Sequence, residues 1–241
     1  MSITLAGSKW HTSGDGSVKS IDYTYHVGNN RMLLVFTNSK SSSSSYKVTA
    51  VTAGYSSEYV AMTEIANFVH SGTTYDMSAW YLLDTNFPES EETILITVAG
   101  AQILEAIVVE LHGVDQTAPN AEDHDSTTGA SITSTVTTLI NNSWIVGYCG
   151  TTREGNDSTS ITASTGQTVP DPVDAGIFAY NSTLDRTLTN RWGYELIPTV
   201  GAENMTWTLG TLTGAGQILI TLAPFIEILP SRNSAILAAT F

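Results

Sequence analysis

The sequence predicts an all-β protein: an antiparallel, jelly-roll-like β-sandwich with an extended C-terminal arm. Charged residues make up only 13% of the 241 positions while Ser, Thr, Asn and Gly abound, a composition poor in helix formers and rich in strand and turn formers. Apolar residues recur with period two or in short unbroken runs, and no segment keeps a helical period. Such segments follow one another at the short, regular spacing of sandwiches.

Residues Ile21 to Val27 alternate apolar with polar, as a strand with one buried face does. Gly28-Asn29-Asn30 turns the chain, and Met32 to Phe36 is continuously apolar, which predicts a central strand covered on both faces. Ser41 to Ser45 is a low-complexity tract read as a loop. Strands are expected at Tyr46 to Ala53, Glu58 to Met62, Glu64 to His70 and Asp76 to Leu83. Next come a turn at Phe87-Pro88-Glu89, a strand at Thr93 to Val98 and a very apolar strand from Ile103 to His112. Asn120 to Gly129 reads as a polar, acidic loop. Ser131 to Leu139 and Ser143 to Thr151 read as a hairpin turning at Asn141-Asn142. Further strands are expected at Ile161, Gly176 to Tyr180, Arg191 to Ile197, Asn204 to Leu209 and Gln217 to Ala223, with a short helical turn near Thr183 to Leu188. Gly210 to Gly216 lacks the Lys-Ser/Thr of a phosphate loop and reads as a turn. Trp80, Trp144, Trp192 and Trp207 lie in apolar strand patterns and are expected in the core. One sandwich domain is expected over residues 1–223 and an arm over 224–241.

The arm carries Phe225, Ile226, Ile228, Leu229, Ile236, Leu237 and Phe241, too apolar for a solvated tail; such a segment either packs back on its own domain or reaches outward, in which case these residues are the candidate contacts with neighbouring subunits or a capsid. With 9 Lys and Arg against 23 Asp and Glu, the formal net charge is -14, so direct nucleic-acid binding is not expected. The opening residues have neither the basic nor the apolar region of a secretory signal. The longest apolar stretch, Gln217 to Leu229, is broken by Pro224 and Glu227 and is shorter than the ~20 residues of a membrane helix. The single cysteine, Cys149, alternates with other apolar residues and reads as a small buried hydrophobe.

Chemistry-bearing residues are few. Glu105 and Glu110 share the most apolar strand, but their odd separation points them to opposite faces. They cannot form an acid–base dyad, and solvent-facing or hydrogen-bonded structural roles are expected. The five histidines, His11, His26, His70, His112 and His124, fall in separate segments with no organising motif. No cofactor is expected; calcium is the one ion considered, at Glu122, Asp123 and Asp125, where oxygen donors gather without the spacing of a twelve-residue calcium loop. Tyr55, Tyr59 and Tyr75, near turns, are the candidates for a ligand platform. No pair of carboxyl groups supports a glycosidase, and no enzyme activity is expected.

One stretch resembles a known module. Trp80-Tyr81-Leu82-Leu83, a Pro-containing turn, Thr93-Ile94-Leu95-Ile96-Thr97-Val98, an apolar strand and Gly113-Val114-Asp115-Gln116-Thr117-Ala118-Pro119 resemble a β-sandwich module of phage structural and bacterial surface proteins. In that family the apolar strand usually ends in Ser-Phe-Ser-Gly-Val-Asp, whereas here Glu110-Leu111-His112 precedes the glycine. The resemblance implies a non-enzymatic virion protein. The first expectation is a capsid decoration or cement protein on the outside of a bacteriophage particle, bound to the major capsid protein or other virion proteins as a homo-oligomer, a trimer being one option. The alternative is a tail or fibre domain that binds a receptor or carbohydrate. The motif positions look structural: Gly113 for a turn, Asp115 for hydrogen bonding within it and Pro119 for ending a ladder.

Overall fold

The computed structural model describes residues 2–13, 18–40, 48–55, 58–69, 75–87, 92–99, 103–170, 177–181, 185–212 and 214–227. The described residues form antiparallel strands and one short 3-10 turn at Asp84–Asn86. The expected loop at Ser41 to Ser45 and most of the turn after Phe87 lie outside them.

The first half contains β1 (Thr4–Ser13), β2 (Val18–Tyr23), β3 (Met32–Lys40), β4 (Val48–Tyr55), β5 (Glu58–Ala61), β6 (Thr63–Val69), β7 (Tyr75–Leu83), β8 (Glu92–Val98) and β9 (Ile103–His112). They build a five-stranded sheet in the order β1-β9-β3-β7-β6 and a four-stranded sheet in the order β2-β8-β4-β5. The second half contains β10 (Ala121–Thr127), β11 (Ser131–Thr138), β12 (Ser143–Glu154), β13 (Ile161–Ala163), β14 (Ile177–Asn181), β15 (Arg186–Ile197), β16 (Gly201–Leu209) and β17 (Gly214–Leu222). These form a five-stranded sheet, β10-β17-β12-β15-β14, and a three-stranded sheet, β11-β16-β13.

The second order is the first one repeated: β1 corresponds to β10, β3 to β12, β7 to β15 and β9 to β17, and among the described residues β5 alone has no counterpart. The described residues therefore form two sandwiches of the same topology. They pack through their five-stranded sheets, giving four layers and three main cores. The middle core joins Met32, Leu34, Phe36, Ile107 and Val109 of the first half to Trp144, Val146, Tyr148, Trp192 and Ile218 of the second. Leu33, Val35, Trp80 and Val108 point the other way, into the first outer core; Ile145, Cys149, Trp207 and Leu219 do so into the second. A strand between two cores has no wet face, which is why Met32 to Phe36 and Ile103 to Leu111 read as unbroken apolar runs. The four tryptophans and Cys149 are buried as expected.

The repeat extends to local chemistry. Asn30 and Asn142, each just ahead of a central strand, both adopt positive φ, at 53° and 60°, a conformation Asn tolerates better than most residues. Ile94, Ile96 and Val98 of β8 occupy the buried positions taken by Met205, Trp207 and Leu209 in β16.

Several expectations are corrected. Ser131 to Leu139 and Ser143 to Thr151 are not a hairpin: β11 pairs with β16, whereas β12 pairs with β15 and β17. β11 is buried at every second residue and belongs to an outer layer, while β12 is buried on both faces and belongs to an inner one. The turn at Asn142 thus carries the chain between sheets. Asn120 to Gly129 is mostly edge strand, β10 on β17, because its polar side chains face solvent while its backbone completes the ladder. Arg186 to Leu188, expected in a helical turn, opens β15, and Gly214 to Gly216 opens β17.

The halves are joined by Gly113 to Asn120. Gly113 has φ of 72°, and a Cβ there would lie 2.5 Å from the Ser2 carbonyl oxygen, so glycine is required twice over. The amides of Gly113 and Val114 donate to the carbonyls of Asn29 and Asn30, and that of Asp115 to Ala223. Asp115 accepts a hydrogen bond from the Thr117 hydroxyl, while the Gln116 side chain ties together Asp84, Arg31 and Val114.

Candidate functional site

Strand β9 is flanked by β1 and β3 and covered by cores on both faces, so both of its glutamates are fully buried and neither faces solvent. Their odd separation does send them to opposite faces. Glu110 shares a face with Leu104, Ala106 and Val108, and Glu105 with Ile107 and Val109.

Glu110 is fully engaged. Its Oε2 accepts from the His26 amide and from His26 Nδ1, both at 3.0 Å, and its Oε1 meets His112 Nε2 at 3.0 Å. A carboxylate only accepts, so each imidazole donates from the nitrogen that faces it and is held in one orientation. Two glycines make the room: a Cβ on Gly28 would lie 2.2 Å from the His112 ring, and one on Gly7 would lie 2.6 Å from His26. The Tyr23 phenol, beside this group, is pushed well above its ordinary range by burial and then by the charge of Glu110. The position matching Glu110 in β17 is Thr221, whose hydroxyl reaches only the Ala121 carbonyl. The topology can therefore be built without this cluster. Sequence reading missed it because His26 and Glu110 are 84 residues apart.

Glu105 is the opposite case. Neither carboxyl oxygen has a hydrogen-bond partner, and burial pushes its pKa well above the carboxylate range, which favours the protonated, neutral form. It lies across from Asn38, whose Nδ2 donates to Asn190 Oδ1 at 2.8 Å, a bond spanning the two sandwiches. Gly150 admits that pair: a Cβ there would lie 2.5 Å from Asn38 Nδ2 and 2.6 Å from Asn190 Oδ1. Burial and then Glu105 raise the Tyr148 phenol, and burial raises the Cys149 thiol, so neither is an activated nucleophile.

The oxygen donors considered for calcium are divided by strand alternation. Glu122 faces with His124, at 2.7 Å, while Asp123 and Asp125 share the other face. Asp123 accepts from the Thr135 amide and Asp125 from the Ser126 amide. Among the described residues no group of three or more His, Cys, Asp or Glu could hold a metal ion. The tyrosine platform is also divided. Tyr59 is exposed on β5, but Tyr75 is 2% exposed, packed with Ile103 and Leu188 beneath the Lys40 ammonium. The Tyr55 side chain lies outside the described residues.

Of the expected arm contacts, Phe225 and Ile226 are described; Ile228, Leu229, Ile236, Leu237 and Phe241 lie outside the described residues. Pro224 bridges Val114, and the Phe225 amide donates to the Gly113 carbonyl at 2.8 Å, so the chain is tied to the linker up to that point. Ile226 is then 60% exposed. Beside this exit a shallow depression is lined by Met32, Val114, Pro119, Leu222 and Ala223.

The chain matches no protein-family model and no curated protein sequence.

Proposed function

We propose that this chain is a non-enzymatic structural protein of a bacteriophage particle, a decoration or cement protein that binds the outside of the shell as an oligomer. The observation that carries this reading is the course of the chain after β17. It is fastened to the linker at Pro224 and Phe225, exposes Ile226, and runs on into a sequence holding Ile228, Leu229, Ile236, Leu237 and Phe241. Apolar side chains in a segment of this sequence stabilise a contact wherever they meet another surface. Two further features support it. The buried carboxylates are committed to the interior of the fold, and the strongly negative charge suits an outer surface that must not capture nucleic acid. Contacts of this kind gain strength by repetition over a lattice, where many weak attachments act together.

The alternative, a tail or fibre domain binding a glycan through Tyr55, Tyr59 and Tyr75, is weakened because Tyr75 belongs to the core. The test is deletion of residues 228–241 followed by incubation with particles that lack the protein. Loss of particle binding with an unchanged circular dichroism spectrum is expected; undiminished binding would remove the proposal's basis.

A further inference from the structure

Eight large hydrophobic side chains are exposed among the described residues, and five of them lie at the end of the molecule where the linker crosses: Val27, Leu139, Leu196, Val200 and Ile226. Strand register fixes this placement. Thr138 pairs with Gly201, which sets Leu139 and Val200 side by side at the end of one outer sheet. Leu196 pairs with Trp144, which pairs in turn with Leu222, the last residue before the exit. Val27 precedes the Gly28 that packs on His112, adjoining the Gly113 to which Phe225 is bonded. Val27 and Leu139 also stand at matching places in the two sandwiches, each three residues ahead of the positive-φ asparagine.

We infer that this end is the seat for residues 228–241 of a second copy, so that two copies hold each other by exchanging their C-terminal segments. The inference rests on the structural role proposed above and names the surface that receives the arm. The exit and these five exposed side chains lie at the same end of the molecule, so one symmetric pairing satisfies donor and acceptor in both copies at once. Fourteen residues at ~3.3 Å each extend to roughly 46 Å, ample to cross to a neighbour. With a charge of -14 on each copy, contact through charged faces is repulsive, whereas an apolar segment laid on exposed apolar side chains adds no charge to the interface.

Purified protein without particles tests this by light scattering after size exclusion, on the intact chain, a chain ending at Glu227, and Leu139→Asp/Val200→Asp. The intact chain is expected as an oligomer and both variants as monomers near the 25.7 kDa chain mass, with unchanged circular dichroism. A synthetic peptide of residues 228–241 is expected to bind the shortened chain, and at least tenfold more weakly when Leu139 and Val200 are aspartate. An oligomer that survives either change overturns the inference. A monomeric intact chain whose shortened form still binds the peptide also overturns it, because the seat is then filled by the chain's own segment. Failure here leaves particle binding to be judged by its own assay, since no particle is present.

Discussion

Among the described residues Glu105 is the buried carboxyl with no hydrogen-bond partner for either oxygen, and glutamine replaces it while keeping the side-chain volume. In the unfolded chain this group loses its proton near pH 4.5; in the folded protein burial holds the proton to higher pH. Between those two points the folded state carries one proton more than the unfolded state, so stability falls as pH rises. The contribution of neutral Glu105 is whole below the unfolded value and is lost progressively until pH passes the folded one. The slope is about 1.4 kcal/mol per pH unit, which glutamine does not have. Urea unfolding of both proteins, followed by the fluorescence of buried Trp192 and Trp207 at about pH 5, 6 and 7, measures the difference, and groups common to both cancel. Glu105→Gln is expected to gain on the parent as pH rises above the unfolded value, until the folded value is passed. A stability gap that stays constant with pH would refute the reading of Glu105 as a carboxyl buried neutral between the sandwiches.

The other perturbations follow from the same geometry. Gly150→Ala drives a methyl into the Asn38–Asn190 bond and is expected to cost about 2 kcal/mol, seen as a lower urea midpoint. Glu110→Ala strands the His26 amide and the largely buried His112 imidazole and is expected to cost about 3 kcal/mol. Its counterpart Thr221→Ala, tested in the same titration, is expected to cost only about 1 kcal/mol. Equal losses would contradict the view that the first sandwich carries a cluster the topology does not need.

The sequence made the strands legible where burial and period agree. Met32 to Phe36, Thr93 to Val98 and Ile103 to Leu111 sit where their patterns put them, and the parity of Glu105 and Glu110 is obeyed. What periodicity does not carry is partner choice. The step from β11 to β12 has the turn chemistry of a hairpin, yet the difference between one-sided and two-sided burial sends the strands to different layers. The duplication was hidden for a related reason. Matching positions keep burial rather than identity, as Ile96 and Trp207 do, and few signs such as Asn29-Asn30 and Asn141-Asn142 remain. The edge strand β10 looked like a loop because its ladder satisfies the backbone while the acidic side chains stay in water. The Glu110 cluster needed three segments brought together by β9 and the turn before β3, which no local motif announces.

Counting the chain in purified particles tests the proposal that it is a repeated structural component. Quantitative mass spectrometry of purified intact particles would give the copies of this chain per major capsid subunit. A fixed ratio matching a set of equivalent lattice positions is the predicted result. Absence from washed particles, or only a few copies per particle, would contradict the account.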